Sequence, residues 1–352
     1  MSPSGGVPFV RTEGDPYEVG YQHGAARAEA LHAFLDDGLA RLDRLVTSPV
    51  SMQSLRPSLR GYDEQLSRAT PDLATELDGL AAGAGISRDQ ALLLQLRREI
   101  MGYQRIPTMG DCTTYARSSD PGAGTDPVLA QTVDLNGELD DQLVVLQVAL
   151  AGRSRRSLVL SFGGLLGYLG VNSDGLAIGL NLVLGGRWVP GVPPYLAIRH
   201  LLDNASTVTE AIGVLQQLPL ASSRSLTLCD LERSAYLEIL DGRIRVVPAT
   251  TPVHTNHFLH PDFTSADELN VFARNSSIQR LKSCTAALEQ LPAEAGIAEH
   301  FQLLSTPPIC VADTGDIRRE RTVAAVVLLP ERGQLHVRPG DPSRSETESF
   351  SL

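Results

Sequence analysis

The sequence predicts an α+β fold: a helical leader in front of a strand-rich body. Three observations carry this. Residues 15–105 read as helix, the texture turns to strand after residue 110, and the strands come in runs instead of alternating with helices. In the leader, apolar residues recur at three and four positions over 17–45 (Val19, Leu31, Phe34, Leu35, Leu39, Leu42, Leu45), the period of a helix with one face in a core. Pro71-Asp72 opens a second helix through Leu73, Leu77 and Leu80, which Gly83 and Gly85 stop. Ser87 reads as the N-cap of a third, 89–99, with Gln90 completing a capping box.

In the body, strands are predicted at 128–134, 143–150, 157–162, 176–182, 226–230, 236–240, 244–247, 322–329 and 334–338. Turn signals at 120–124, Asp174-Gly175 and Asp241-Gly242 divide them. Helices are predicted at 194–204, 208–218 and 277–291. The last dozen residues, rich in Ser, Glu and Asp, read as a frayed tail. No period of 20–50 residues repeats, which excludes a solenoid.

Composition narrows the function. With 30 basic and 41 acidic residues the formal charge is −11, a poor match for nucleic acid or an anionic membrane. The basic clusters at 153–156 and 318–321 are short and read as solvated turns. No apolar run reaches the length of a membrane span, and no charged-then-apolar signal pattern opens the sequence, so a cytoplasmic location is expected. The four cysteines (Cys112, Cys229, Cys284, Cys310) form no CxxC pair, and the eight histidines show no metal-ligand spacing. Neither a metal nor a cofactor is expected.

The most informative stretch is Gly110-Asp-Cys-Thr-Thr-Tyr115. Its cysteine stands where helix gives way to strand, between Asp111 and Thr113-Thr114, and not inside an apolar run as a structural thiol would. On these residues alone, a buried structural cysteine and a nucleophile are both open readings.

The whole sequence resembles the isopenicillin-N acyltransferase (acyl-coenzyme A:6-aminopenicillanate acyltransferase) family of N-terminal-nucleophile (Ntn) hydrolases, from about residue 16 to about residue 340. The resemblance runs in order through Tyr17-Glu-Val-Gly-Tyr-Gln-His-Gly24, the pair Arg97 and Glu99, Asp111-Cys-Thr-Thr114, Gln131-Thr-Val-Asp134, Gly170-Val-Asn-Ser-Asp-Gly175, Gly191-Val-Pro-Pro194 and His254-Thr-Asn-His257. Single motifs of this kind are weak; their common order and spacing are specific. Two departures stand out. Asp111 replaces the glycine usual before the nucleophile. Pro308-Ile-Cys-Val311 replaces a Ser-Ile-Cys-Arg stretch, so an arginine suited to a carboxylated acceptor such as a penicillin nucleus is absent there.

The resemblance implies a four-layer αββα Ntn sandwich, with residues 1–111 as leader and 112–352 as catalytic body. It implies a precursor that cuts itself between Asp111 and Cys112, leaving two fragments of one chain. Cys112 would then carry both the thiol nucleophile and, in its free α-amine, the base, whose reference pKa lies near ~8. Asn256 is the implied oxyanion donor; on its own it reads as a strand-end residue bonded to its own turn. Asp134 is implied to orient the amine or a threonine hydroxyl, against an ordinary reading as a turn cap before Asn136-Gly137. Thr114 is implied to point its hydroxyl at the site, against a plain β-branched strand residue. Asn172 and Arg280 are candidates for substrate contact or support, a structural ion pair being the ordinary job of such an arginine. His254 and His257 are expected on the other face of their strand.

The expected activity is transfer of an acyl group through a Cys112 thioester to an amine or to water, in secondary metabolism such as antibiotic biosynthesis. The partners are a small-molecule acyl donor, thioester or amide, and an amine acceptor. Intramolecular amide or lactam formation through the same thioester, and an uncleaved binding homologue without catalysis, are the alternatives.

Overall fold

A computed structural model describes residues 6–46, 50–102, 112–119 and 125–352. The leader comprises β1 (Phe9–Gly14), α1 (Pro16–Asp36), α2 (Gly38–Leu45), α3 (Met52–Ala69), α4 (Pro71–Ala84) and α5 (Arg88–Met101). The body begins with β2 (Thr113–Arg117), β3 (Val128–Leu135), β4 (Leu143–Leu150), β5 (Arg156–Phe162), β6 (Leu169–Asn172) and β7 (Ala177–Asn181). After α6 (Pro194–Asn204) and α7 (Val208–Leu215) come β8 (Arg224–Cys229), β9 (Ser234–Leu240), β10 (Arg243–Pro248) and β11 (Val253–His254). The chain closes with α8 (Pro261–Thr264), α9 (Val271–Gln290), α10 (Ile297–Leu304), β12 (Arg321–Leu329), β13 (Gln334–Pro339) and β14 (Glu348–Ser351).

The strands form two sheets, ordered β1-β4-β5-β6-β7-β8-β9-β10 and β11-β2-β3-β12-β13-β14. They face each other through β2 and β3 against β7 and β8. Helices α1 and α6 cover the first sheet, and α9 and α10 cover the second, so the layers run αββα. Alternation along β3 explains the arrangement. Val128 and Ala130 pack with Cys284, Leu288 and Phe301 of the covering helices, while Leu129 and Val133 join the large central core. Gln131, on the inner face, stitches the sheets together. Its Nε2 donates to Leu180 O at 2.8 Å, and Leu180 N donates to its Oε1 at 3.0 Å.

The leader departs from an all-helical reading. β1 pairs in parallel with β4, Phe9 opposite Val145, so the leader donates the edge strand of the first sheet. The periodic stretch 17–45 breaks at Asp37-Gly38, and Leu39, Ala40 and Arg41 take positive φ. There the Arg41 guanidinium turns inward and donates to Gly137 O, Glu138 O and Asp141. Helix α3 carries Pro57 inside it and buries Leu59, Tyr62 and Leu66 on one face. The C-terminal segment is not frayed. β14 pairs with β13, Phe350 packs on Phe9 with ring centroids 5.0 Å apart, and Glu348 accepts from Val7 N. Its polar composition reflects an edge strand with one wet face. The turn signal at 120–124 lies outside the described residues.

One device holds the leader's helices together and a second ties them to the body. In α1, Gly20 and Gly24 meet the backbone of α4; a Cβ on Gly20 would lie 1.8 Å from Glu76 O. Gly79 and Gly83 of α4 meet α1 equally closely, with 2.0 Å from a Gly79 Cβ to Tyr17 O. This is the physical reason for the glycines in the 17–24 motif. Beside the crossing, the buried Arg199 of α6 holds Glu76 of α4 through two bonds of 2.8 Å, and its own neighbour Asp203 at 2.9 Å. Gly20→Ala is expected to lower the thermal midpoint by forcing the helices apart, at a cost of about 1–3 kcal/mol or more. Thermal unfolding checks this, with Gly213→Ala, whose added Cβ meets open space, as the tolerated control.

Candidate active site

Cys112 stands immediately before β2. Thr113 pairs with Thr132 in the neighbouring strand, which brings the backbone of Cys112 to the end of β3 and to Asp134. The Cys112 N–H donates to Asp134 Oδ2 at 3.0 Å. The carboxylate is held from two further sides. Thr132 Oγ1 donates to Oδ2 at 3.3 Å, and Thr322 Oγ1 from β12 donates to Oδ1 at 2.7 Å. Asp134, Thr132 and Thr322 are all buried. Cys112 itself has φ of 67°, the left-handed region that costs a non-glycine residue roughly 1–2 kcal/mol.

The carbonyl of Cys112 is also gripped. Arg280 of α9 donates Nη1 to Cys112 O at 2.6 Å and to Thr113 Oγ1 at 3.1 Å, and Asn181, the last residue of β7, donates Nδ2 at 3.1 Å. Arg280 also donates Nη2 to Asn256 Oδ1 at 2.6 Å. That bond fixes the Asn256 amide, so its Nδ2 faces the other way and donates to Leu182 O at 3.0 Å. Behind Asn256, Ser277 Oγ accepts from Asn256 N at 2.8 Å and bonds with His257 Nδ1 at 2.7 Å. Burial, with the charges of His254, Arg274 and Arg280 opposing Asp267, holds His257 down at about 4, so it is neutral at physiological pH.

The Cys112 sulfur lies 3.9 Å from the Tyr168 hydroxyl in the wall of a narrow cavity of about 60 Å³. Tyr168 stacks on Tyr195 and meets Phe162 edge-on. The remaining lining is mainly apolar: Phe34, Leu94, Met101, Leu135, Leu139, Leu165, Leu180 and Leu182. Three arginines also line it, Arg97 and Arg98 from leader helix α5 and Arg224 from β8. The leader therefore forms one side of the cavity. Glu99 of α5 balances Arg224 at 3.4 Å, although burial pushes its carboxyl up. Among the described residues no group of three or more His, Cys, Asp or Glu could hold a metal ion, and no helix is long and apolar enough to cross a membrane.

Of the residues singled out from sequence, the structure gathers Cys112, Asp134, Asn256 and Arg280. In place of the ion pair expected of it, Arg280 bridges the Cys112 carbonyl and Asn256. Thr114 is buried between the sheets beside Gly179, and its hydroxyl has no hydrogen-bond partner. Asn172 is not part of the group. Its Nδ2 donates to Leu202 O and Ala205 O, and its Oδ1 accepts from Asp174 N and Leu176 N, so its amide is consumed in tying the hairpin to α6. His254 bonds to the buried Glu238 at 2.9 Å; β11 ends there, so strand alternation does not reach Asn256. Asp111 lies outside the described residues. Sequence reading missed Asn181 and Tyr168. Asn181 carried a signal, a polar residue ending an otherwise apolar strand as Asp134 does, and Tyr168 carried none.

Comparison with known proteins now decides the family. A family model described as "Acyl-coenzyme A:6-aminopenicillanic acid acyl-transferase" matches residues 122–344. The chain belongs to this family. The acyl-coenzyme A:6-aminopenicillanic-acid-acyltransferase 40 kDa form of Emericella nidulans is 26% identical over 265 residues, covering 74% of this chain and 72% of the relative. Among solved structures, a penicillin V acylase from Agrobacterium tumefaciens matches with TM-score 0.46 and 15% identity, over 68% of this chain and 86% of that one. A Caenorhabditis elegans N-acylethanolamine-hydrolyzing acid amidase ortholog matches with TM-score 0.47 and 16% identity, over 68% and 99%. This member of the acyltransferase family is an enzyme of the acyltransferase class.

The neutral His257 makes the support behind Asn256 acid-sensitive. Its folded value of about 4 lies below the reference of 6.5, so its contribution to stability is complete above about pH 6.5 and is lost as pH falls toward 4. Thermal midpoints recorded across that window are expected to fall, and to fall less in His257→Asn, which keeps an acceptor near the position of Nδ1 but takes no proton.

Proposed function

We propose that the protein is a self-processing cysteine acyltransferase or amidohydrolase in which Cys112 is the nucleophile. The observation that carries this reading is the N–H of Cys112 on Asp134 Oδ2, with the same residue's sulfur opening into the cavity. One residue then presents a backbone nitrogen held by a carboxylate and a thiol facing substrate space.

In the first step the Cys112 thiol adds to the carbonyl carbon of Asp111. The C–N bond of that peptide breaks, the nitrogen takes the thiol proton, and a thioester forms. Water hydrolyses it, leaving a leader of 1–111 and a body of 112–352 whose first residue is Cys112. The left-handed backbone at Cys112 places strain next to the bond that breaks. In turnover the free α-amine, oriented by Asp134, accepts the thiol proton. The sulfur attacks the acyl donor, the leaving amine or thiol departs with that proton, and the acyl-thioester passes to an amine or to water. Asn256 is the assigned oxyanion donor. One N–H of its amide bonds Leu182 O, which leaves the other for the tetrahedral oxyanion, and Arg280 on Oδ1 both fixes and polarises the amide. Removing such a donor costs roughly 100- to 1000-fold in a well-studied enzyme. The pairing of edge strand β1 with β4 and the Arg199–Glu76 bonds would keep the leader in place after the cut. The mainly apolar lining suits the acyl part of a small-molecule donor.

Intact mass of the purified chain is expected to show fragments 1–111 and 112–352, with Cys112→Ala abolishing the split and Asp134→Asn slowing it roughly 10- to 100-fold, the worth of one charged hydrogen bond. A wild-type chain that stays whole on long incubation, or Cys112→Ala cutting as fast as wild type, would overturn self-processing.

A further inference from the structure

Among the described residues, the buried donors Arg97 Nη2 and Asn136 Nδ2 in the wall of the cavity have no hydrogen-bond partner. Arg97 is 9% exposed and Asn136 5% exposed. Both residues line the space into which Cys112 opens. Buried polar groups are normally satisfied, and exceptions need an explanation. The neighbouring arginines have one. Arg41 is paired with Asp37 and Asp141, and Arg224 with Glu99. Arg97 donates Nε to Ala40 O at 2.8 Å and lies 5.0 Å from the Phe34 ring centre, but among the described residues no carboxylate meets its outer nitrogen.

The pair is also built to stay in place. Asn136 precedes Gly137, whose N donates to Ile317 O at 2.9 Å and whose carbonyl accepts from Arg41 at 2.8 Å. A Cβ on Gly137 would stand 3.5 Å from Arg97 Nη2, so the arginine terminus lies against this pinned turn. Burial and the adjacent Arg41 pull Arg97 down to about 10, which leaves it charged at neutral pH and unbalanced.

We propose that Arg97 and Asn136 form a receptor for a carboxylate carried by the substrate. The leader helix α5 and the β3–β4 turn each supply one half, so the leader takes part in choosing the substrate. A planar carboxylate matches a guanidinium and an amide N–H side by side. Most of the remaining lining is apolar, so the acyl group that fits is a hydrocarbon chain ending in an acid. This rests on the reading of Cys112 as the acylated residue.

The test uses p-nitroanilides of succinic, glutaric, adipic and suberic acid, each beside its ω-carboxamide and ω-methyl counterpart. A second series, N-hexanoyl amino acids and their amides, puts the carboxylate on the leaving amine instead. At the best length the wild-type kcat/KM should favour carboxylate over carboxamide roughly 10- to 100-fold. Arg97→Gln and Asn136→Leu should each collapse that ratio, with Arg97→Lys intermediate. A readout on wild type alone stands even where a variant fails to fold: free adipate or suberate, but not the diamides, should protect Cys112 from iodoacetamide. A wild type that prefers neutral ends at every length in both series, or an unchanged ratio in Arg97→Gln, overturns the receptor. Acylation of Cys112 by ω-methyl probes without any carboxylate preference would do so while leaving the nucleophile standing. Failure of every probe to acylate Cys112, with Cys112→Ala turning over the anilides as wild type does, would remove the nucleophile reading and the receptor with it.

Discussion

The hydrogen bond between the backbone nitrogen of Cys112 and Asp134 is the contact around which the site is organised. It is short, buried, and set by strand register: Thr113 opposite Thr132 leaves Cys112 nowhere else to go. A buried carboxylate is costly unless its oxygens are occupied, and Thr132 and Thr322 occupy them. Three strands must therefore be assembled before Asp134 can hold the cysteine. The second sheet is needed as well, because Asn181 of β7 reaches across to the Cys112 carbonyl. Cys112 thus sits where the two sheets and α9 converge, and none of these elements builds the site alone.

The same logic makes the leader more than a wrapping. It supplies an edge strand, a helix crossing too close for any side chain at Gly20 or Gly79, and the cavity wall of α5. Arg41, turned inward by three residues of positive φ, pins the turn at Gly137 and Glu138. The cavity is consequently shared between the two sides of the Asp111-Cys112 bond, and its character as an apolar space with buried guanidinium groups belongs to both.

Much of this was legible in the sequence where chemistry and period coincide. The helix-to-strand switch at Cys112 and the strand that carries Asp134 lie in segments whose pattern is local, whereas Asn256 was legible only through the family resemblance. Partners that arrive from distant segments were not legible. Thr322 is 188 residues from Asp134, and nothing in β12 sets that threonine apart from its β-branched neighbours. Arg280 read as a helix residue in need of a counter-ion, because sequence does not reveal a carbonyl waiting 168 residues away. Asn172 misled for the opposite reason. A hairpin asparagine that binds backbone and one that binds substrate look alike until the neighbouring helix is placed. The C-terminal strand was hidden by composition, since an edge strand with one face in water is as polar as a tail.

The measurement that bears most directly on the central claim is the location of a trapped acyl group. The protein is incubated with an acyl-thioester, quenched in acid and digested, and the modified peptide is sequenced by mass spectrometry. The acyl group is predicted on the sulfur of Cys112, released by hydroxylamine, and on a peptide whose first residue is that cysteine. An acyl group on Cys229, Cys284 or Cys310, or on no cysteine while turnover continues, would contradict the account.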